Sequence, residues 1–221
     1  MTSLPLPDPK KSFADQEPDV LLSMCLFGEA RGESDDARRA VAQVVLNRAK
    51  FAHPVFGSQP GADFAENLRR VILKPRQFSC FLPDDPNCAK LLRPLDHERP
   101  EVWQRCLRAA QEALANRDRQ DTLTANSDHY FDDSLQPPRW ADPAKQTVQI
   151  GRLRFYRLYL PLPHAGAGAP PSRREIILPA ASRQAVPQGT AEREAPALRG
   201  RVAPGLALRP VLRSFGAGGT A

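Results

Sequence analysis

The stretch that most limits the folds open to this chain is Val20-Leu21-Leu22-Ser23-Met24-Cys25-Leu26-Phe27. With Asp19 placed to cap it, the run reads as a helix that is apolar nearly all round, and such a helix has no face to offer to water. It must lie inside a layer of other elements, and the chain supplies them. Ser34 is positioned to cap a second helix, with Asp35 and Asp36 in its positive first turn. Ala37, Ala40, Val41, Val44, Val45 and Arg48 then recur at helical spacing, giving an apolar stripe with an amide (Asn47) and a base near its end. A short helix is expected from about Asp63 to Leu73, stopped by Pro75. Another begins near Pro100 and carries Val102, Trp103, Cys106, Leu107, Ala110 and Leu114.

The character of the chain changes after that. Asn126 to Trp140 is polar and aromatic with paired prolines, so irregular structure or short strands are expected. Thr147–Ile150 and Leu153–Leu158 flank Gly151-Arg152, a pair suited to the type II′ turn of a hairpin. Helices first and a small antiparallel sheet last make an α+β fold, mainly helical. Residues 1–18, punctuated by Pro and Lys, read as a flexible lead-in, and residues 19–160 as one domain. Residues 161–221 are rich in Pro, Ala and Arg with almost no aromatic content. Such a tail buries too little apolar surface to offset the entropy of ordering, and it is expected to be disordered.

The formal net charge of +6 raises the question of nucleic acid. Its distribution answers against a specific nucleic-acid partner. From Pro161 onward there are eight arginines, no lysine and three glutamates, a surplus of +5 that leaves the body near neutral. The tail lacks the interleaved aromatics on which bases stack, so its charge better suits an anionic wall polymer or lipid. No apolar run approaches the ~20 residues of a membrane span. The prolines and acid near the N-terminus interrupt any secretory apolar core. Four cysteines (Cys25, Cys80, Cys88 and Cys106) admit either buried thiols or a local Cys80–Cys88 bridge. No cysteine or histidine pair has zinc-like spacing, and neither a metal nor another cofactor is expected.

Glu29 ends the most hydrophobic helix, in Gly28-Glu29-Ala30-Arg31-Gly32-Glu33. A glycosidic oxygen leaves readily only if protonated, and burial against apolar groups keeps a carboxyl protonated near neutral pH. Glycines on either side would let a sugar chain approach the backbone. The plainer alternative is a solvated acid paired with Arg31. Glu33, four residues on, either orients Glu29 or serves as a surface acid beside the next cap.

The string Phe27-Gly28-Glu29-Ala30-Arg31-Gly32-Glu33 and the following Ala40-Val41-Ala42-Gln43-Val44-Val45-Leu46-Asn47-Arg48 resemble the SleB-type cell wall hydrolases, spore cortex-lytic enzymes and related bacterial and phage proteins. Three further blocks fit in order: Gln77-Phe78-Ser79, Asp128-His129-Tyr130-Phe131, and Trp140 ahead of Ile150-Gly151-Arg152-Leu153-Arg154-Phe155-Tyr156. The resemblance spans roughly residues 19–160. It implies a lysozyme- or lytic-transglycosylase-like fold with Glu29 catalytic and Gln77, Phe78 and Ser79 beside the groove. Where relatives have Thr-His-Tyr, this chain has Ser127-Asp128-His129-Tyr130, with Asp128 resembling an insertion.

His129 reads either as a hydrogen-bonded structural residue or as part of the chemistry. Tyr130 and Trp140 are candidates for a sugar-stacking surface, with Trp103 in the core. The expected substrate is the peptidoglycan glycan strand, cut between N-acetylmuramic acid and N-acetylglucosamine. Ordinary glycosidases use two carboxyl groups. Only one is well marked here, so lytic transglycosylase chemistry comes first and muramidase hydrolysis second, with Asp132 or Asp133 across the groove as the condition favouring hydrolysis. A non-catalytic wall-binding protein of the same fold is the rival from another class. With no signal peptide expected, synthesis is placed in the cytoplasm and access to the wall through a holin-type pore or an export partner.

Overall fold

The computed structural model of the protein describes residues 4–161. The basic tail, apart from Pro161, lies outside the described residues. Helix α1 (Pro18–Ala30) runs through the middle of the body, and every side chain from Val20 to Phe27 is buried. Around it pack α2 (Asp35–Lys50), α3 (Phe64–Leu73) and α5 (Pro100–Ala115), while a single-turn α4 (Cys88–Leu91) closes one end. An all-round apolar helix is therefore jacketed as its composition requires. Replacing one of its fully enclosed leucines, such as Leu21, with alanine would leave a cavity costing about 2–5 kcal/mol.

The local signals that start the helices act as expected at three places. Ser34 accepts a hydrogen bond from the Ala37 amide, and Asp63 accepts one from Glu66 at 2.8 Å. Pro100 is the first residue of α5. At α1 the start differs: Pro18 opens the helix, one residue before the expected cap, because its fixed φ already suits a first turn. Asp19 is then free to accept from Gln111 on α5 at 3.0 Å.

The sheet has three antiparallel strands in the order β1 (His129–Asp132), β3 (Leu153–Tyr156), β2 (Gln146–Ile150). Strands β2 and β3 form the hairpin, with Gly151 at φ 58° in the turn. Tyr130 pairs with Phe155, and His129 with Tyr156. Because side chains alternate across a strand, Tyr130 and Phe155 share one face, which meets the helical core. His129, Phe131 and Tyr156 occupy the other, where they surround Trp140.

The first residues make specific contacts with the body. Trp103 Nε1 donates to the Pro5 carbonyl at 2.8 Å, Gln16 exchanges hydrogen bonds with the Asp8 backbone, and Phe13 meets Phe81 edge-on. A buried indole N–H needs an acceptor, and the first residues supply it. Among the described residues no helix is long and apolar enough to cross a membrane.

Candidate active site

Glu29 sits in the last turn of α1, partly exposed, where the buried helix reaches the surface. Tyr130 Oη donates to its Oε2 at 3.1 Å. Burial pushes the Glu29 carboxyl up from its ordinary 4.5 to about 7. The hydroxyl of Tyr130 and the thiol of Cys80 pull the other way, Asp85 adds to the rise, and the Arg48 charge opposes it. A group in this state is divided between acid and carboxylate near neutral pH, so it can both give and take a proton.

Three neighbours set this environment. Gly28 is the reason Cys80 is so near: a Cβ there would lie 2.5 Å from both Cβ and Sγ of Cys80. The space above Gly28 is thus filled by protein rather than left for a sugar, while Gly32 faces open space. Burial holds the Cys80 thiol well above its usual range, and the nearby Glu29 adds to this, so it remains a neutral thiol. All four cysteines are free, with Cys25, Cys80 and Cys106 buried. Asp85 is held by Ser79 Oγ at 2.6 Å and by the Asn87 amide at 2.8 Å.

The position of Tyr130 is fixed by a polar spine from α2 to β1. Asn47 donates to Asp121 at 2.8 Å and to the Ser127 carbonyl at 3.0 Å. Asp121 in turn accepts the amides of Leu123, Thr124 and Asn126, holding a loop in which Ala125 and Asn126 both have positive φ. Arg48 Nε donates to the Asp128 carbonyl at 2.7 Å, two residues before Tyr130. Asp128 is fully enclosed and accepts the amides of Leu158, Tyr159 and Leu160, with His129 Nδ1 at 2.8 Å. Burial alone would raise its carboxyl, but these bonds outweigh burial and hold it below the ordinary value. Asp128 therefore ties the chain after β3 to the start of β1.

The residues singled out in the sequence divide into three groups. Tyr130 reaches Glu29. Ser79 holds Asp85, whose charge bears on Glu29, while Gln77 donates to the Val71 carbonyl at 2.7 Å and Phe78 is buried beneath the Arg48 guanidinium. Glu33, His129 and Trp140 make other contacts. Glu33 is bound by Arg152 at 2.6 Å, and no hydrogen bond among the described residues joins it to Glu29. Arg31 likewise turns away from Glu29, to Glu98 and Asn87. His129 and Trp140 pack together on the sheet face opposite the Tyr130 side chain, ring centroids 4.9 Å apart. Burial, then Arg48, lowers the His129 pKa against the pull of Asp128, leaving a neutral ring at pH 7.

Asn47, Arg48, Cys80, Asp85 and Asp121 were not singled out from the sequence. An amide and a base ending an apolar stripe were the available signal for the first two. Asp132 and Asp133 are engaged by Arg152 and Arg154. Among the described residues no cluster of three His, Cys, Asp or Glu side chains could hold a metal ion.

Residues 32–156, more than half of the chain, match the family described as Cell Wall Hydrolase, and the chain belongs to that family. No curated protein and no solved structure matches it. The matched stretch takes in Gln77, Ser79 and Tyr130 and begins three residues after Glu29. Membership gives the protein an enzymatic role in breaking down peptidoglycan. Glu29 lies outside the matched residues.

Proposed function

We propose that the protein cleaves the bond between N-acetylmuramic acid and N-acetylglucosamine as a lytic transglycosylase, with Glu29 as its one catalytic carboxyl group. The observation that carries this reading is the state of Glu29: at the end of a buried helix, pushed up to about 7, and hydrogen-bonded by Tyr130. In the acid form it gives its proton to the glycosidic oxygen as the bond to muramic C1 breaks and positive charge develops there. The resulting carboxylate then takes the proton of the muramic C6 hydroxyl as that oxygen attacks C1. The product carries a 1,6-anhydro ring, no water is consumed, and Glu29 ends with its proton restored. Tyr130 supports the intermediate stage, since its hydroxyl favours the carboxylate.

Asp85 gives the hydrolytic reading its best footing. It is the carboxylate whose charge bears on Glu29, and Ser79 and the Asn87 amide orient it. A water held by Asp85 would open the same bond to a reducing end. Asp132 and Asp133, occupied by arginines, offer less support for that role. Mass spectrometry of digested peptidoglycan separates the two reactions: anhydromuramyl ends are expected, and reducing muramic ends alone would replace the transglycosylase with a muramidase.

A further inference from the structure

Beside Glu29 lies a buried cation without an acidic partner. Arg48 is 7% exposed, yet no ion pair among the described residues includes it. Its Nε–H is used by the Asp128 carbonyl, and its guanidinium lies 5.0 Å from the ring centre of Phe56 and 5.5 Å from that of Phe78. The four N–H bonds on its two Nη atoms take no partner among the described residues. Nor are those atoms sealed in: the buried side-chain polar atoms left without a partner are Arg38 Nε and Arg154 Nε. The two Nη atoms are thus the unpartnered, accessible end of a side chain otherwise packed against two rings and a carbonyl.

Two ring faces and a carbonyl only partly offset the cost of burying a full charge, and the nearby Asp128 carboxylate, which also favours the charged guanidinium, spends its hydrogen bonds on three amides and His129. Glu29 supplies no countercharge while it holds its proton. The missing partner is a planar oxygen acceptor with negative charge, which a guanidinium edge grips with two parallel hydrogen bonds. Sugar hydroxyls and acetamido groups are neutral. The lactyl ether of muramic acid ends in a carboxyl group, ionised wherever its stem peptide has been removed.

We propose that the open edge of Arg48 binds the lactyl carboxyl group of the muramyl residue at the bond to be cut, making Arg48 the residue that distinguishes muramic acid from glucosamine. This rests on the reading of Glu29 given above, and binding and cleavage test the two separately.

The probe is a set of peptide-free glycan strands carrying lactyl carboxylates, compared with the same strands after reduction of those carboxylates to alcohols. The full chain carrying Glu29→Gln should bind the carboxylate strands roughly ten- to a hundred-fold more tightly, the range of a charge-assisted hydrogen-bond pair. The preference should survive 0.5 M salt, which screens general attraction between a basic protein and an anionic polymer. Arg48→Lys keeps the charge but loses the fork, and should bring the two affinities close together. Equal affinities, a preference that salt abolishes, or no binding to either strand would overturn the assignment; so would an undiminished preference in folded Arg48→Lys. Cleavage by the wild type then judges Glu29 independently. Tighter binding of carboxylate strands without cleavage would keep Arg48 and remove the glycosidic reading.

Discussion

Tyr130 Oη donates to Glu29 Oε2 across 3.1 Å, joining β1 to the end of α1 over a sequence separation of 101 residues. The bond favours the carboxylate, so it restrains a pKa that burial has already raised to about 7. Tyr130→Phe should let that value climb. As the acid must be protonated to act, the alkaline fall in kcat/KM should move from near pH 7 to higher pH. A pH–rate profile of the two proteins measures this, and an unmoved limb would detach Tyr130 from the proton.

The same shift makes stability depend on pH. Glu29 binds its proton more tightly folded than unfolded, so the folded state holds the extra proton between 4.5 and about 7. The stabilising contribution is complete below the unfolded value and is lost as pH rises through the folded one. By pH 8 the loss is on the order of 3 kcal/mol at most, reduced by the partial exposure of the carboxyl. Glu29→Gln, which cannot ionise, should therefore melt higher than the wild type at pH 8 by several degrees and differ little at pH 4. Thermal unfolding at the two pH values checks the sign.

Gly28→Ala places a methyl group 2.5 Å from Cys80 Cβ and Sγ, a contact that forces α1 or the Ser79–Phe81 turn to shift. Overpacking of this kind costs about 1–3 kcal/mol, and here it also displaces the neighbour of Glu29. Cys80→Gly in the same chain should restore most of the lost stability. Chemical denaturation of both single variants and the double variant measures the coupling, and additive losses would show that the two residues do not compete for one space.

Asp128→Ala should be the most damaging change outside the apolar core. It leaves the amides of Leu158, Tyr159 and Leu160 and the His129 ring without their acceptor, and each buried donor left unsatisfied costs about 1–3 kcal/mol. Urea unfolding at pH 7 gives the number; a loss under about 1 kcal/mol would mean the loop after β3 is held by other means.

The elements visible in the sequence are those built from neighbours. Ser34, Asp63 and Pro100 act within one turn of themselves, and Gly151 meets the demand of its own hairpin, so their signals survive without tertiary context. The central helix was legible because eight consecutive buried side chains leave one possible place for it. The surroundings of Glu29 were not. Asn47 and Arg48 find partners about 80 residues away, and nothing local distinguishes such an amide or guanidinium from a surface one. Asp128 looked like an extra residue before a histidine, whereas its carboxylate gathers three amides from the chain after β3. The contacts of the lead-in were not legible either, because prolines mark the absence of helix, not the absence of packing.

The most direct test is Glu29→Gln, assayed for turnover of purified peptidoglycan beside the wild type, with folding verified by thermal unfolding. Glutamine keeps the shape and accepts the Tyr130 hydrogen bond but has no proton to give. A folded variant whose turnover falls by about a hundred-fold or more, the share usual for a positioned general acid, is the predicted result. A folded variant that releases soluble fragments at the wild-type rate would contradict it.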